Sequence, residues 1–76
     1  MRPTTHEFDT ELLRGGEVAT LGAVVYRGRT VIQPGPDRWA PLRRWAQGLA
    51  DQVDGPITWR ARTDDTVVAE GTVYPA

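Results

Sequence analysis

The chain has 76 residues, of which 39% are hydrophobic and 25% are charged, and its formal net charge is −1. This length predicts one domain spanning residues 1–76 and excludes a second. The small net charge excludes a global attraction to nucleic acid or to an anionic membrane, and no apolar run approaches the roughly 20 residues of a membrane span. We therefore expect a soluble cytoplasmic protein that has no membrane partner.

The sequence contains no Cys, Ser, Lys or Asn, which removes many kinds of chemistry. Without Cys there is no disulfide framework, thiolate zinc site or thiol nucleophile. Without Ser and Lys there is no serine triad, Schiff base or phosphate-binding lysine loop. The sequence thus predicts a protein that is not an enzyme and uses no cofactor. Because every basic residue is Arg, we interpret the composition as that of a high-GC bacterium or phage.

The N-terminal region combines a polar start with weak alternation. Residues 1–5 contain Pro3 and no periodicity, which predicts a loose N-terminal arm. From His6 to Leu13, apolar and polar residues alternate, as is typical of either a short edge strand or the first part of a longer strand. That alternation turns His6 away from the carboxylates at positions 7, 9 and 11, which predicts a solvated edge and no metal site.

Two apolar runs follow, one from Val18 to Tyr26 and one from Arg29 to Gln33. A break at Arg27-Gly28 predicts that they form a hairpin. The first run is apolar on both sides of the strand, and strands of that kind are normally covered on both faces.

The segment from Pro41 to Asp54 carries the clearest periodicity in the chain, an apolar stripe at helical spacing. The stripe is formed by Leu42, Trp45, Ala46, Leu49, Ala50 and Val53. Asp37 is the predicted N-cap, and Gly55-Pro56 is predicted to end the helix with a left-handed glycine.

A second hairpin is predicted after the helix. Ile57 to Arg62 alternates, Asp64-Asp65 marks a turn, and the return strand is predicted to place Val67 and Val73 on one face, through a loop of three or five residues. Together these elements predict an α+β domain in which one amphipathic helix packs on a mostly antiparallel sheet of four to five strands, in the order (β)ββαββ.

This fold leaves one sheet face without a helix, and the predicted function follows from that face. We expect Val24, Tyr26 and Ile32 to form an apolar patch there, near the largest that a monomer leaves exposed. The residues predicted to contact a partner are Val24, Tyr26, Ile32, Arg60, Arg62 and Tyr74. The favoured hypothesis is a non-catalytic protein-interaction module that binds a second copy of itself or another protein, as an accessory, inhibitory or assembly protein does.

Two other hypotheses remain open at this point. In the first, the protein binds nucleic acid through Arg27, Arg29, Arg60 and Arg62, with Trp59 or Tyr74 available for stacking. Steep salt dependence of binding would distinguish this hypothesis from protein binding. In the other, the domain is a small ligand-binding protein or hydrolase.

Overall fold

The computed structural model describes residues 6–76, and within them one helix and seven strands follow one another. The strands are β1 (His6–Arg14), β2 (Glu17–Val18), β3 (Thr20–Leu21), β4 (Val24–Val25), β5 (Arg27–Ile32), β6 (Ile57–Thr63) and β7 (Thr66–Val73). The helix α1 (Ala40–Val53) stands between β5 and β6. The predicted loose arm, residues 1–5, lies outside the described residues.

A five-stranded antiparallel sheet forms the body of the domain. Its order is β2-β1-β6-β7, and β5 pairs with β1 on the same side as β2. Strand β1 therefore has neighbours on both sides and is not an edge strand. The prediction of one helix on a mostly antiparallel sheet of four to five strands is confirmed.

The core lies between α1 and one face of the sheet. Leu42, Ala46, Leu49 and Ala50 of the helix are buried, as the helical periodicity predicts. They pack against a sheet face whose buried residues are Phe8, Leu12, Ile32, Ile57, Trp59 and Ala61. Because side chains alternate along a strand, the residues between these point to the opposite face, which we call the open face.

The first hairpin turns at a different place from the one predicted. The chain reverses between β3 and β4, where Gly22 has a φ of +61°, whereas Gly28 lies inside β5. Both glycines were available as turn residues, and the left-handed conformation that glycine tolerates is used at Gly22. As a result, the predicted strand from Val18 to Tyr26 is divided among β2, β3 and β4.

The second hairpin also differs in its register. Thr63 pairs with Thr66 across a two-residue turn. A β-bulge follows: Arg62 pairs with Val67 and Ala61 pairs with Ala69, so Val68 of β7 has no partner in β6. A bulge shifts the alternation by one residue. Consequently Val67 lies beside Arg62 on the open face, whereas Val73 lies beside Ile57 on the helix side.

Both ends of the helix differ in detail from the prediction. The N-cap is Trp39, with no side-chain capping hydrogen bond, while the Asp37 carboxylate forms an ion pair with Arg43. At the other end, Asp54 takes the left-handed conformation, with a φ of +53°, instead of Gly55. The predicted cap at Asp37 and the predicted left-handed Gly55 are therefore wrong, although the helix itself is confirmed.

Candidate interaction surfaces

The β3–β4 hairpin branches from the sheet at one hydrogen-bonded junction. The Leu12 N–H donates to the Tyr26 carbonyl (2.9 Å), the Ala19 N–H donates to the Leu12 carbonyl (2.8 Å), and the Tyr26 N–H donates to the Ala19 carbonyl (3.0 Å). Strand β5 pairs with β1 before Leu12 and strand β2 pairs with it after Leu12, so the hairpin leaves the sheet between them. The residues of β3 and β4 pair only with each other. The hairpin therefore leaves the body of the domain.

The side chains of this hairpin are exposed on both of its faces. Leu21 and Val24 are opposite each other and are 41% and 54% exposed, while Val25 lies opposite Thr20 and is 50% exposed. Cross-strand partners share a face and neighbours along a strand do not, so Val24 and Val25 point in opposite directions. We refer to Leu21, Val24 and Val25 as the hairpin surface.

The three apolar residues predicted to share a patch do not lie together. Val24 is in the hairpin surface, but Tyr26 is half-buried and its ring lies 6.2 Å from that of Trp45. Ile32 is only 2% exposed, so its predicted position on the uncovered face is wrong. The register explains this, because Ile32 pairs with His6 and so shares the helix side of the sheet with Phe8.

Tyr74 lies just beyond β7 and is 67% exposed. The segment around it is held against the helix, because the Gln47 Nε2 donates to the Tyr74 carbonyl (2.7 Å) and the Ala76 N–H donates to Asp51 Oδ1 (2.9 Å). The hydrogen bond from Ala76, assisted by one from the Gln47 side chain, lowers the pKa of Asp51 below its ordinary value. Tyr74 is thus presented by a fixed backbone, apart from the hairpin surface.

Arg60 and Arg62 point to the open face, and six charged side chains of the neighbouring strands point there with them: Glu7, Asp9, Glu11, Arg27, Arg29 and Glu70. The strand register arranges these charges in four stripes, one per strand. The stripes are basic on β5 (Arg27, Arg29), acidic on β1 (Glu7, Asp9, Glu11), basic on β6 (Arg60, Arg62) and acidic on β7 (Glu70). We call this surface the charge-striped face.

Ion pairs join neighbouring stripes on the two outer sides of this face. Arg29 Nε lies 2.9 Å from Glu7 Oε1 and 3.5 Å from Asp9 Oδ1. Arg60 Nε lies 3.0 Å from Glu70 Oε2. Each of these contacts joins residues of adjacent strands, so the charges support the register of the sheet as well as cover it.

The middle of the face is less completely paired. Glu11 is only 7% exposed, and its Oε1 lies 3.5 Å from Arg60 Nη1 and 3.7 Å from Arg62 Nε. The Nε of Arg62 is buried without a hydrogen-bond partner among the described residues. The prediction that Glu7, Asp9 and Glu11 form a solvated edge is therefore wrong, because β1 lies inside the sheet between two basic strands.

The alternation of the stripes weakens the case for nucleic-acid binding. Four arginines and four carboxylates share the face, and their formal charges cancel. A phosphate backbone would meet a carboxylate stripe on either side of each central arginine, whereas nucleic-acid surfaces concentrate basic charge.

Other binding features of the domain are modest. A shallow depression of about 350 Å³ on the charge-striped face is lined by side chains from Asp9, Glu11, Arg27, Arg29 and Arg62. Among residues 6–76, no three His, Asp or Glu side chains form a group that could hold a metal ion, and no helix is long and apolar enough to cross a membrane. The exposed surfaces are thus the features that point to a function.

Several exposed apolar residues were absent from the predicted contact set. Leu21, Val25, Val31 and Val67 are all exposed, although none of them is among the residues predicted to contact a partner. Gly22 is the sequence feature that could have identified Leu21 and Val25. A turn predicted at Gly22 would have placed both residues on a short hairpin around it. Comparison with protein-family models, with curated proteins and with solved structures finds no match to this chain.

Proposed function

We propose that the protein is a non-catalytic interaction module that binds another protein through the hairpin surface. The single observation that carries this proposal is the exposure of Leu21, Val24 and Val25 on a hairpin that leaves the domain. Two-stranded hairpins are marginally stable in water without further packing. A hairpin that is apolar on both faces is therefore best explained by a surface that covers it.

The geometry favours a cleft in a different protein over a symmetric pair of hairpins. Stacking two copies of the hairpin would cover Leu21 and Val24 or else Val25, because these side chains point to opposite faces. A cleft covers both faces at once. Each of the three side chains is about half exposed, so its complete burial would contribute roughly 1 kcal/mol before the costs of association. This supports a modest, reversible interaction that the partner strengthens with further contacts.

The amino-acid composition supports a bacterial or phage origin for this interaction module. The arginine-only basic residues are consistent with an accessory, inhibitory or assembly protein of a GC-rich bacterium or phage, and we expect it to act in the cytoplasm.

An affinity-capture experiment with matched baits tests the proposal. The immobilised chain, the Val24→Thr/Val25→Thr double variant and a Val68→Thr control are incubated with lysate of the source organism. Thr keeps the β-branched shape and replaces one methyl group by a polar hydroxyl, and Val68 is similarly exposed but lies on β7, away from the hairpin. We expect a protein retained by the wild type and the control but not by the double variant. Identical protein sets on all three baits would refute the proposal.

A further inference from the structure

The charge-striped face has a symmetry that individual ion pairs do not reveal. Its four stripes alternate in sign from one edge of the sheet to the other: basic on β5, acidic on β1, basic on β6 and acidic on β7. An alternating row with an even number of members is its own complement after reversal. A second copy of the same face can therefore meet it with opposite charges along the row of Arg27, Glu11, Arg60 and Glu70. In the adjacent row, Asp9 and Arg62 also meet opposite charges, whereas Arg29 meets the apolar Val67.

Two copies of the sheet can pack face to face with aligned strands about a two-fold axis in two ways. Only one of them brings stripes of opposite charge together. When the two-fold axis runs along the strands, between β1 and β6, β5 lies over β7 of the second copy and β1 lies over its β6. Every stripe then faces a stripe of opposite sign. When the axis runs across the strands, each strand faces its own copy, and like charges meet. Like-charge contacts across an interface are costly, so the pattern selects the first arrangement.

We infer that the charge-striped face binds the same face of a second copy of this chain, about a two-fold axis parallel to the strands between β1 and β6. Homodimers with a two-fold axis are the commonest protein oligomers, and sheets commonly pack face to face with strand directions aligned within about 30°. This inference rests on a surface other than the hairpin, so the two proposals can fail separately.

The pairing of the face within one copy leaves groups for this contact. Arg27 forms no ion pair with any residue in the described range. The Nε of Arg62 is buried within its own copy and cannot reach a second one, but a third of the Arg62 side chain remains exposed. In the proposed arrangement, Arg27 meets Glu70 of the second copy, because both lie in the row of Glu11 and Arg60. Arg62 meets Asp9 of the second copy in the same way, since these two residues lie in the adjacent row.

Apolar residues at the corners of the face support the same arrangement. Val31 is exposed on β5 and Val67 is exposed on β7, and both point to the open face. The proposed axis brings β5 of one copy over β7 of the other, so Val31 approaches Val67 of the second copy along a diagonal. The contact would thus combine ion pairs in the middle with apolar contacts at two symmetric corners.

Charge exchange tests this inference in the intact chain. Sedimentation velocity is measured at about 50 mM salt, where surface charges are weakly screened, over a range of protein concentrations. We expect a dimer for the wild type and a dissociation constant raised about tenfold or more by Arg27→Glu, since that substitution places two carboxylates opposite each other twice per dimer. Adding Glu70→Arg to Arg27→Glu exchanges the pair and should restore the dimer.

Two controls make the outcome decisive. Arg44→Glu changes the charge equally on the exposed side of α1 and should leave the dimer intact. Far-UV circular dichroism of each variant verifies folding, and Glu70→Arg alone reports any loss from its ion pair with Arg60. A monomeric wild type at low salt would overturn the inference. So would a dimer that Arg27→Glu leaves unchanged, or one that Val24→Thr abolishes while the charge variants do not.

Discussion

The packing of Trp59 over Gly71 predicts an unusual response to a single methyl group. Gly71 of β7 lies opposite Trp59 of β6, and a Cβ at this position would be 2.9 Å from both Cζ2 and Nε1 of the tryptophan. Carbon atoms pack best at about 3.5–4.0 Å. The ring has little freedom to withdraw, because it is buried in the core and stacks on Trp39 at 6.1 Å.

We therefore expect Gly71→Ala to destabilise the domain. Overpacking of this kind costs about 1–3 kcal/mol, which exceeds the roughly 0.5–1 kcal/mol gained when alanine replaces a glycine inside a strand. For a domain of this size, 1 kcal/mol shifts Tm by about 4–8 °C. Thermal unfolding followed by far-UV circular dichroism should give a Tm about 5–15 °C below that of the wild type.

Gly48→Ala is the matched control for this prediction. A Cβ at Gly48 would have no neighbour within 4 Å, and the residue is exposed inside α1. Alanine is favoured over glycine in a helix by about 1 kcal/mol, so Tm should rise by about 4–8 °C. If Gly71→Ala raised Tm as Gly48→Ala does, the indole of Trp59 would not lie over Gly71 and the packing described above would be incorrect.

Three further predictions follow from other parts of the domain. Leu49→Ala should cost about 2–5 kcal/mol and unfold much of the protein, because Leu49 is buried between helix and sheet; a midpoint close to that of the wild type in urea unfolding would contradict this. The ionised carboxylate of Asp51 accepts the hydrogen bond from the Ala76 N–H, which lowers the pKa of Asp51. The protection of the Ala76 amide from hydrogen exchange should therefore be present above the ordinary carboxyl pKa and lost as the pH falls through the lowered value. NMR hydrogen exchange across this range, with Asp51→Asn as control, checks this. The charge-striped face should not shift DNA or RNA in an electrophoretic assay at about 50 mM salt, and a salt-sensitive complex that Arg60→Ala weakens would favour the nucleic-acid hypothesis instead.

Local periodicity was sufficient to predict the helix and to predict which side chains of β1 and β6 face it. The stripe through Leu42, Ala46 and Leu49 is read along one segment, and so is the alternation from Phe8 to Leu12. These patterns depend on residues a few positions apart, and burial follows them directly. The class of the fold then follows from the number and order of the elements.

Long-range pairing could not be obtained in that way. Whether β1 is an edge or an internal strand depends on β5 and β6, which lie far along the chain. The same pairing decides that Ile32 faces the helix and that Glu11 lies between two arginines. The bulge in β7 places Val67 on the open face, although Val73 of the same strand faces the helix. Nothing in the local sequence marks this bulge. The candidate surfaces were thus mispredicted where they depend on register.

Site-specific photocrosslinking tests the hairpin contact most directly. Val24 is replaced with p-benzoylphenylalanine, and a second protein carries the same group in place of Gly48, which is exposed on the far side of the domain from the sheet. Both are irradiated in lysate of the source organism and the adducts are identified by mass spectrometry. If the hairpin surface binds another protein, we expect a discrete adduct with that protein from position 24 and none from position 48. The same adducts from both positions, no adduct from position 24, or only an adduct between two copies of the chain would contradict it.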